Sequence, residues 1–203
     1  MNQNYEEKID KILEVEMSED AFKFWKALKE KIPPIWERSS SATMKYHKKD
    51  DGHVATIAEH VYEMTYACSK LMRMFEFEPK SKRSDLLYMA VVLHDAFKYG
   101  LKNPECARST YNKHDKVIGD TILQNKNLFM KLFNENEVKL LEECVRYHSG
   151  KWSTDARNRN FSFNDVSPET FFIHILDMLS ANNLINTPNG DGINASSIDQ
   201  VGP

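Results

Sequence analysis

Apolar residues recur along this chain at helical spacing, and this pattern constrains its fold more than any other feature. Ile9, Ile12 and Leu13 share one helical face, and a second apolar stripe follows Ser18, a residue suited to cap a helix. Pro33-Pro34 stops that second helix. The sequence therefore predicts an all-α protein in which residues 1–37 form a two-helix N-terminal extension packed on the core.

Length and composition set the expected number of domains. The 203 residues, 41% of them hydrophobic, suffice for one core of ordinary size. We expect a single helical bundle over residues 38–186, which opens with a polar stretch at 38–53 that is typical of a long loop. Residues 187–203 are rich in glycine, serine, aspartate and asparagine and are predicted to be a flexible tail.

Capping residues and apolar stripes predict five helices inside the bundle. The pattern from Thr56 to Glu59 is a capping box, which marks the start of the first of them. The five helices are expected over about 56–75, 81–100, 112–124, 134–148 and 167–184. The second range would place His94 and Asp95 in the last half of its helix.

Charge and cysteine usage exclude several classes of protein. A net charge of -3 gives no basic surface of the size that long nucleic-acid tracks require, so we expect no stable binding to duplex DNA. Three cysteines without paired spacing and an acidic, amphipathic N-terminus predict a reduced, cytoplasmic protein. No apolar run approaches the length of about eighteen residues that a membrane span needs, so we expect no membrane partner.

Histidines and aspartates interrupt these apolar helical segments, where burying a charged side chain costs free energy unless something compensates it. A buried carboxylate is costly unless it is paired or bound to metal. A carboxylate can bridge two cations, so Asp95 is expected to be shared between two ions. The candidate ligands are His60, His94, Asp95 and Asp177 for one ion, and His114, His148 and the shared Asp95 for the other.

Such a pair of ions has a definite chemistry. Two divalent ions about 3.5 to 4 Å apart activate a bridging water and clamp phosphoryl oxygens, as in phosphoester hydrolysis. Imidazoles and carboxylates without thiolates suit manganese, iron, zinc, nickel or cobalt better than calcium. We therefore expect two divalent transition-metal ions, whose identity the sequence leaves open.

Over residues 44–183 these segments resemble the HD-domain metal-dependent phosphohydrolases, whose two-metal branch has the signature H…HD…H…H…D. The matching segments are EHVYEM, LLYMAVVLHDAFKYG, KHDKVIGD, RYHSGKWS and PETFFIHILDMLSA. A closer likeness is to the HD domain of bacterial 3'-to-5' exoribonucleases, in which a stretch like Lys45-Tyr46-His47 precedes the first motif. There an OB module comes before the domain, whereas residues 1–37 here have a helical pattern, which favours a small nucleotide or a short oligonucleotide as substrate.

Further residues are candidates for catalysis and substrate binding. Lys98 matches the HD-x-x-K pattern, for which the resemblance implies a contact with phosphate or a metal-bound anion, so Asp95 and Lys98 are the expected catalytic residues. Basic residues beside His148 and nearby aromatic or loop residues could contact substrate. These weaker candidates are Lys151, Trp152, Arg146 and His47, the last of which is expected in the polar loop and not as a metal ligand.

The sequence thus predicts a metal-dependent phosphohydrolase or phosphodiesterase that cleaves a nucleotide or short oligonucleotide with a metal-bound hydroxide. Three alternatives stay open: a 3'-to-5' exonuclease, a di-iron oxygenase of the same fold, and a non-enzymatic, metal-stabilised binding protein. A structural site needs only about four closed ligands, so six candidate ligands favour an enzyme. The sequence leaves the oligomeric state open.

Overall fold

A computed structural model describes residues 4–41, 47–49, 51–156 and 161–187. Lys45, Tyr46 and all of the expected tail except its first residue lie outside these ranges. The helices are α1 (Tyr5–Glu16), α2 (Glu19–Lys29), α3 (Ile57–Met74), α4 (Lys82–Leu93), α5 (His114–Gln124), α6 (Lys126–Phe129), α7 (Glu135–Tyr147) and α8 (Pro168–Ala181). The described ranges contain two isolated β-bridges and no strand, which confirms the prediction of an all-α fold.

Helix α4 lies at the centre of the bundle. Every residue from Ser84 to Leu93 is buried, and the helix packs against α1, α3, α7 and α8. A helix that is apolar on all sides belongs in a protein interior. Because α4 ends inside the molecule, it delivers the residues that follow it, His94 and Asp95, to the middle of the bundle, where both are buried.

The N-terminal helices pack on this core. Helix α1 buries its apolar stripe against α3. The fully buried carboxylate of Asp85, in the first turn of α4, accepts hydrogen bonds from the Ser18 amide (2.7 Å) and the Ser18 hydroxyl (2.6 Å). Ser18 also caps α2 by accepting from the Ala21 amide. One serine thus begins α2 and ties the extension to α4, while the domain boundary at residue 37 stays a prediction.

The end of α4 differs from the sequence expectation, and the reason is local. The helix was expected to continue to Tyr99-Gly100 but ends at Leu93, with His94 as its C-cap. The His94 Nδ1 donates to the Val91 carbonyl at 2.7 Å, which is the group that a continuing α-helix would offer to the Asp95 amide. Tight turns follow, beginning with a bond from the Ala96 amide to the Leu93 carbonyl. His94 and Asp95 therefore lie at and just beyond the helix end, not in its last half.

Other boundaries shift for similar local reasons. The Thr56 hydroxyl accepts from the Glu59 amide as a cap should, but the Glu59 carboxylate lies 3.1 Å from His53 Nε2 and so forms a different contact from the expected capping box. Helix α5 begins two residues later than expected, α8 ends three residues earlier, and the short α6 was not predicted. Among the described residues, no helix is long and apolar enough to cross a bilayer.

Candidate metal centre

All six predicted metal ligands come together in the centre of the bundle. They are His60 in the first turn of α3, His94 at the end of α4, Asp95 in the following turn, His114 at the start of α5, His148 at the end of α7, and Asp177 in α8. His60 Nε2 lies 3.0 Å from His94 Nε2 and 3.3 Å from Asp177 Oδ1. Five separate segments of the chain thus supply one cluster.

Asp95 lies between the two halves of this cluster. Its Oδ1 is 3.0 Å from His114 Nε2 and 3.7 Å from His148 Nε2. Its Oδ2 is 3.5 Å from His94 Nε2 and 3.9 Å from His60 Nε2. Because each carboxylate oxygen faces a different pair of imidazoles, Asp95 has the geometry of a ligand shared by two ions.

Three of the histidines are oriented by the same backbone contact. The Nδ1 of His94, His114 and His148 each lies within 2.9 Å of the carbonyl oxygen three residues earlier, on Val91, Tyr111 and Val145 respectively. A carbonyl oxygen only accepts hydrogen bonds, so Nδ1 carries the proton. In the neutral ring, Nε2 then carries a lone pair that is directed into the cluster. This is the tautomer in which imidazole binds a metal through Nε2.

His60 is oriented by a chain of side chains instead. Its Nδ1 lies 2.7 Å from the Ser180 hydroxyl, which in turn donates to Glu63 Oε2 at 2.7 Å. The hydroxyl proton is therefore used, and Ser180 accepts from His60. Lys49 binds the other oxygen of Glu63. Such a carboxylate-supported histidine is a common outer support for metal ligands, because it fixes the tautomer and the ring orientation.

These contacts show that the residues fit bound cations. The Nδ1 atoms of His60 and His94 are both bonded elsewhere, and their Nε2 atoms face each other at 3.0 Å. Asp95 Oδ1 and His114 Nε2 are buried and have no hydrogen-bond partner in the part of the chain that the structure describes. Acceptor atoms this close repel each other unless a cation or a proton lies between them. The cluster therefore has the donor set and the orientation of a divalent metal centre.

Burial and local charges keep Asp95, Asp177 and His148 in their metal-binding forms. Burial alone would raise the pKa of Asp95, but the Lys98 ammonium, 2.7 Å away, and His94 hold that pKa well below its ordinary value. Burial would likewise raise the pKa of Asp177, but its hydrogen bond with His60 outweighs burial and holds that pKa below its ordinary value. Burial and the neighbouring His94 lower the pKa of His148 to about 4. At neutral pH the carboxylates are ionised and His148 is neutral.

His47 lies in the predicted polar loop, but its surroundings differ from the expectation that it contacts substrate and not metal. The structure buries it, 6% exposed, with its ring centroid 4.4 Å from that of His60. The ligand atoms of His47, His60 and Asp177 all lie within 4.8 Å of one another. Sequence reasoning missed this position because a loop has no periodicity from which burial can be read.

Lys151 and Trp152 follow closely after His148 in the chain. They belong to a short 3₁₀ turn, Gly150–Trp152, which begins two residues after His148. The Trp152 side chain is 52% exposed, and the Lys151 ammonium lies 4.7 Å from the centroid of its ring. The turn therefore carries one cationic group and one largely exposed aromatic ring shortly after a candidate ligand.

Arg146 belongs to a different cluster from the one expected. Its guanidinium donates to Asp120 and Asp155, each at 2.7 Å, and to Glu142. Residue 146 is 8% exposed, and the guanidinium packs on Gly119, where an added Cβ would come within 2.9 Å of it. This corrects the expectation that Arg146 contacts phosphate, because three carboxylates already engage its donors and balance its charge.

The Arg146→Met variant should therefore lose stability and not substrate affinity. Removing one member of a buried ion pair costs about 3–5 kcal/mol, and partial exposure of the three carboxylates reduces our estimate to about 2 kcal/mol. We expect urea unfolding to show this loss, while KM at a temperature below the unfolding transition changes less than about threefold. A large rise in KM with unchanged stability would restore the phosphate-binding role.

Comparison with known protein families agrees with this geometry. A family model for the HD domain matches residues 57–182, which is more than half of the chain. The chain therefore belongs to the HD-domain family, whose members bind divalent metals and are typically metal-dependent phosphohydrolases. Searches among curated proteins and among solved structures each gave no significant match.

Proposed function

We propose that this protein is a two-metal phosphohydrolase that cleaves a phosphoester of a nucleotide or a short oligonucleotide. The observation that carries the proposal is the buried Asp95 carboxylate, whose two oxygens face two separate pairs of histidines. A site with six convergent ligands from five segments exceeds what a closed structural metal site requires. Membership of the HD-domain family supports the same reaction class.

The ligands divide between two ions. His60, His94, Asp95 and Asp177 would hold the first, and His114, His148 and Asp95 would hold the second. Two bound divalent ions would supply Lewis-acid activation of a water nucleophile and neutralise charge on the phosphoryl oxygens. Nitrogen and oxygen ligands without thiolates suit manganese, iron, zinc, nickel or cobalt.

Lys98 completes the electrostatics of the centre. Its ammonium binds Asp95 Oδ2 at 2.7 Å, and its side chain is 14% exposed. Burial lowers the pKa of Lys98, but the charges of Asp95 and Asp177 outweigh it and raise that pKa above its ordinary value. The group therefore stays cationic, fixes the orientation of the shared carboxylate, and adds positive charge where charge grows on a phosphoryl group.

Each of the two ions has one partly exposed ligand. The side chains of His60 and His94 are fully buried, whereas those of His114 and Asp177 are 14% and 15% exposed. Lys151 and Trp152 follow closely after His148, the other histidine proposed for the second ion. We infer that the phosphate enters beside the second ion, with Lys151 near its charge and Trp152 positioned to stack on a base.

A hydrolysis screen tests this function. The purified protein, loaded with Mn²⁺, is incubated with nucleoside mono- and triphosphates, cyclic and dinucleoside phosphates and a short oligonucleotide, and product masses are read by chromatography. The Asp95→Asn variant serves as the blank. Asp95-dependent turnover of one class would identify the bond that is cleaved, and stepwise shortening from a 3' end would identify an exonuclease. A metal-loaded protein that hydrolyses none of them would contradict the proposal.

The Trp152→Ala variant tests base stacking. Stacking of a base on an aromatic side chain contributes about 1–3 kcal/mol, which corresponds to a rise in KM of roughly 5- to 150-fold for a nucleotide. KM for a phenyl phosphodiester, which lacks a base, should change much less. Phe75→Ala is a matched control, because Phe75 is 64% exposed but lies at the far end of α3 from His60. Equal effects of Trp152→Ala on both substrates would eliminate the stacking role.

A further inference from the structure

We propose that His47 is a fifth protein ligand of the first ion, which makes the two metal positions unequal. The inference rests on the metal centre proposed above and adds one residue to it. His47 approaches from the polar loop and packs edge-to-face against His60. Its Nδ1 is buried and has no hydrogen-bond partner among the described residues. A buried, unpartnered nitrogen beside two candidate ligands needs a partner of its own.

The backbone holds His47 in this position. Its φ is +58°, a left-handed conformation that residues other than glycine adopt infrequently. Two backbone bonds maintain it: the His47 amide donates to the Ala181 carbonyl at 3.0 Å, and the His47 carbonyl accepts from the Ala55 amide at 2.8 Å. Such conformations persist where the surrounding structure fixes them, and they concentrate at functional sites. Here the conformation directs the imidazole inward to His60.

A second contact couples the loop to the centre. Lys49, two residues after His47, binds the Glu63 carboxylate. The same carboxylate orients His60 through Ser180. One buried acidic side chain therefore anchors the loop that carries His47 and fixes the ring against which His47 packs. A loop that only covered the site would not need an ion pair with the carboxylate that orients His60.

The geometry assigns His47 to the first ion and not to an additional one. His60 belongs to two groups of close ligand atoms, one with His47 and Asp177 and the other with His94 and Asp95. The Nδ1 of His60 is bonded to Ser180, so only its Nε2 can bind a metal, and an imidazole nitrogen binds one ion. Two groups that share this single donor atom meet at a single ion.

With this assignment the two ions differ in their number of protein ligands and in their roles. The first would have five protein ligands and would leave little room for substrate. The second would have three protein ligands and open positions, as catalytic sites do. Phosphate would then bind at the second ion, which has more open positions. Five ligands at the first ion also favour metals that accept six-coordination over zinc, which is usually four-coordinate in closed sites.

Binding of Mn²⁺ at equilibrium tests the proposal without depending on activity. The metal-free full-length protein is dialysed against a series of Mn²⁺ concentrations, and bound metal is counted per chain. His47→Asn and His47→Gly both tolerate the left-handed backbone and remove the imidazole. His53→Asn in the same loop is the control, because His53 is exposed and contacts Asp51 and Glu59. Thermal unfolding of each metal-free variant checks that the fold is intact.

We expect the wild type and His53→Asn to bind two ions, and both His47 variants to bind one ion at least about tenfold more weakly while the other is unchanged. Two results would overturn the role of His47 and leave the metal centre standing. One is unchanged binding of both ions. The other is equal weakening of both ions together with a lower unfolding temperature of the metal-free protein. A wild type that binds no Mn²⁺ would overturn the metal centre and the proposed function with it.

Discussion

Replacing Asp95 by asparagine is expected to abolish phosphoester hydrolysis and to release at least one of the two ions. The carboxylate is fully buried, and its oxygens face His60 and His94 on one side and His114 and His148 on the other. An amide has nearly the same size but carries no charge and has only one acceptor atom, so it cannot serve both ions. Losing one stabilising group from a preorganised site costs about 100- to 1,000-fold in rate, and Asp95 supports both ions, so we expect at least about a 1,000-fold fall in kcat.

The measurement pairs steady-state kinetics with metal analysis of the same dialysed samples. Asp20→Asn is a matched control, because Asp20 is an exposed carboxylate in the first turn of α2 and contacts no metal ligand in the described structure. It should retain two ions and full turnover. An Asp95→Asn variant that keeps both ions but loses turnover would restrict Asp95 to the chemical step. A variant that keeps both ions and full turnover would refute the assignment.

The sequence predicted which residues come together in the cluster, because their chemistry is expressed in residue types. His94 and Asp95 follow a stretch so apolar that it had to be buried, and a buried carboxylate requires a partner. The helices that carry His60, His114 and Asp177 were likewise visible from their caps and apolar stripes. Their convergence followed from the resemblance to the HD-domain family, which the family match confirms.

The sequence could not predict the features that depend on backbone detail or on distant partners. The end of α4 at Leu93 follows from a side chain that takes a carbonyl of its own helix, which competes with helix continuation in a way that periodicity does not encode. The contacts of Arg146 come from α5, α7 and the segment that follows α7. The burial of His47 depends on a left-handed backbone and on a bond to α8, more than 130 positions away in sequence.

Removing the metal should lower the stability of the protein by a large margin. The cluster buries histidine lone pairs that face each other and a carboxylate oxygen without a hydrogen-bond partner among the described residues. A ligand that binds only the folded state at 100 times its Kd stabilises that state by about 2.7 kcal/mol, so two ions would contribute roughly 5 kcal/mol. For a chain of this length, about 2–4 °C per kcal/mol predicts that chelation lowers the unfolding temperature by roughly 10–20 °C.

Differential scanning calorimetry of the Mn²⁺-loaded protein before and after chelation measures this shift, and added Mn²⁺ should reverse it. Asp95→Asn separates the effect of metal removal from a direct effect of the chelator. This variant has already lost an ion, so chelation removes less metal-dependent stability from it. Its chelation shift should be at most about half that of the wild type. An equal shift in both proteins would mean that the stabilising ion lies outside the cluster. No shift in the wild type would mean that the facing lone pairs are relieved by protons, and the cluster would then be a buried hydrogen-bonded core and not a metal centre.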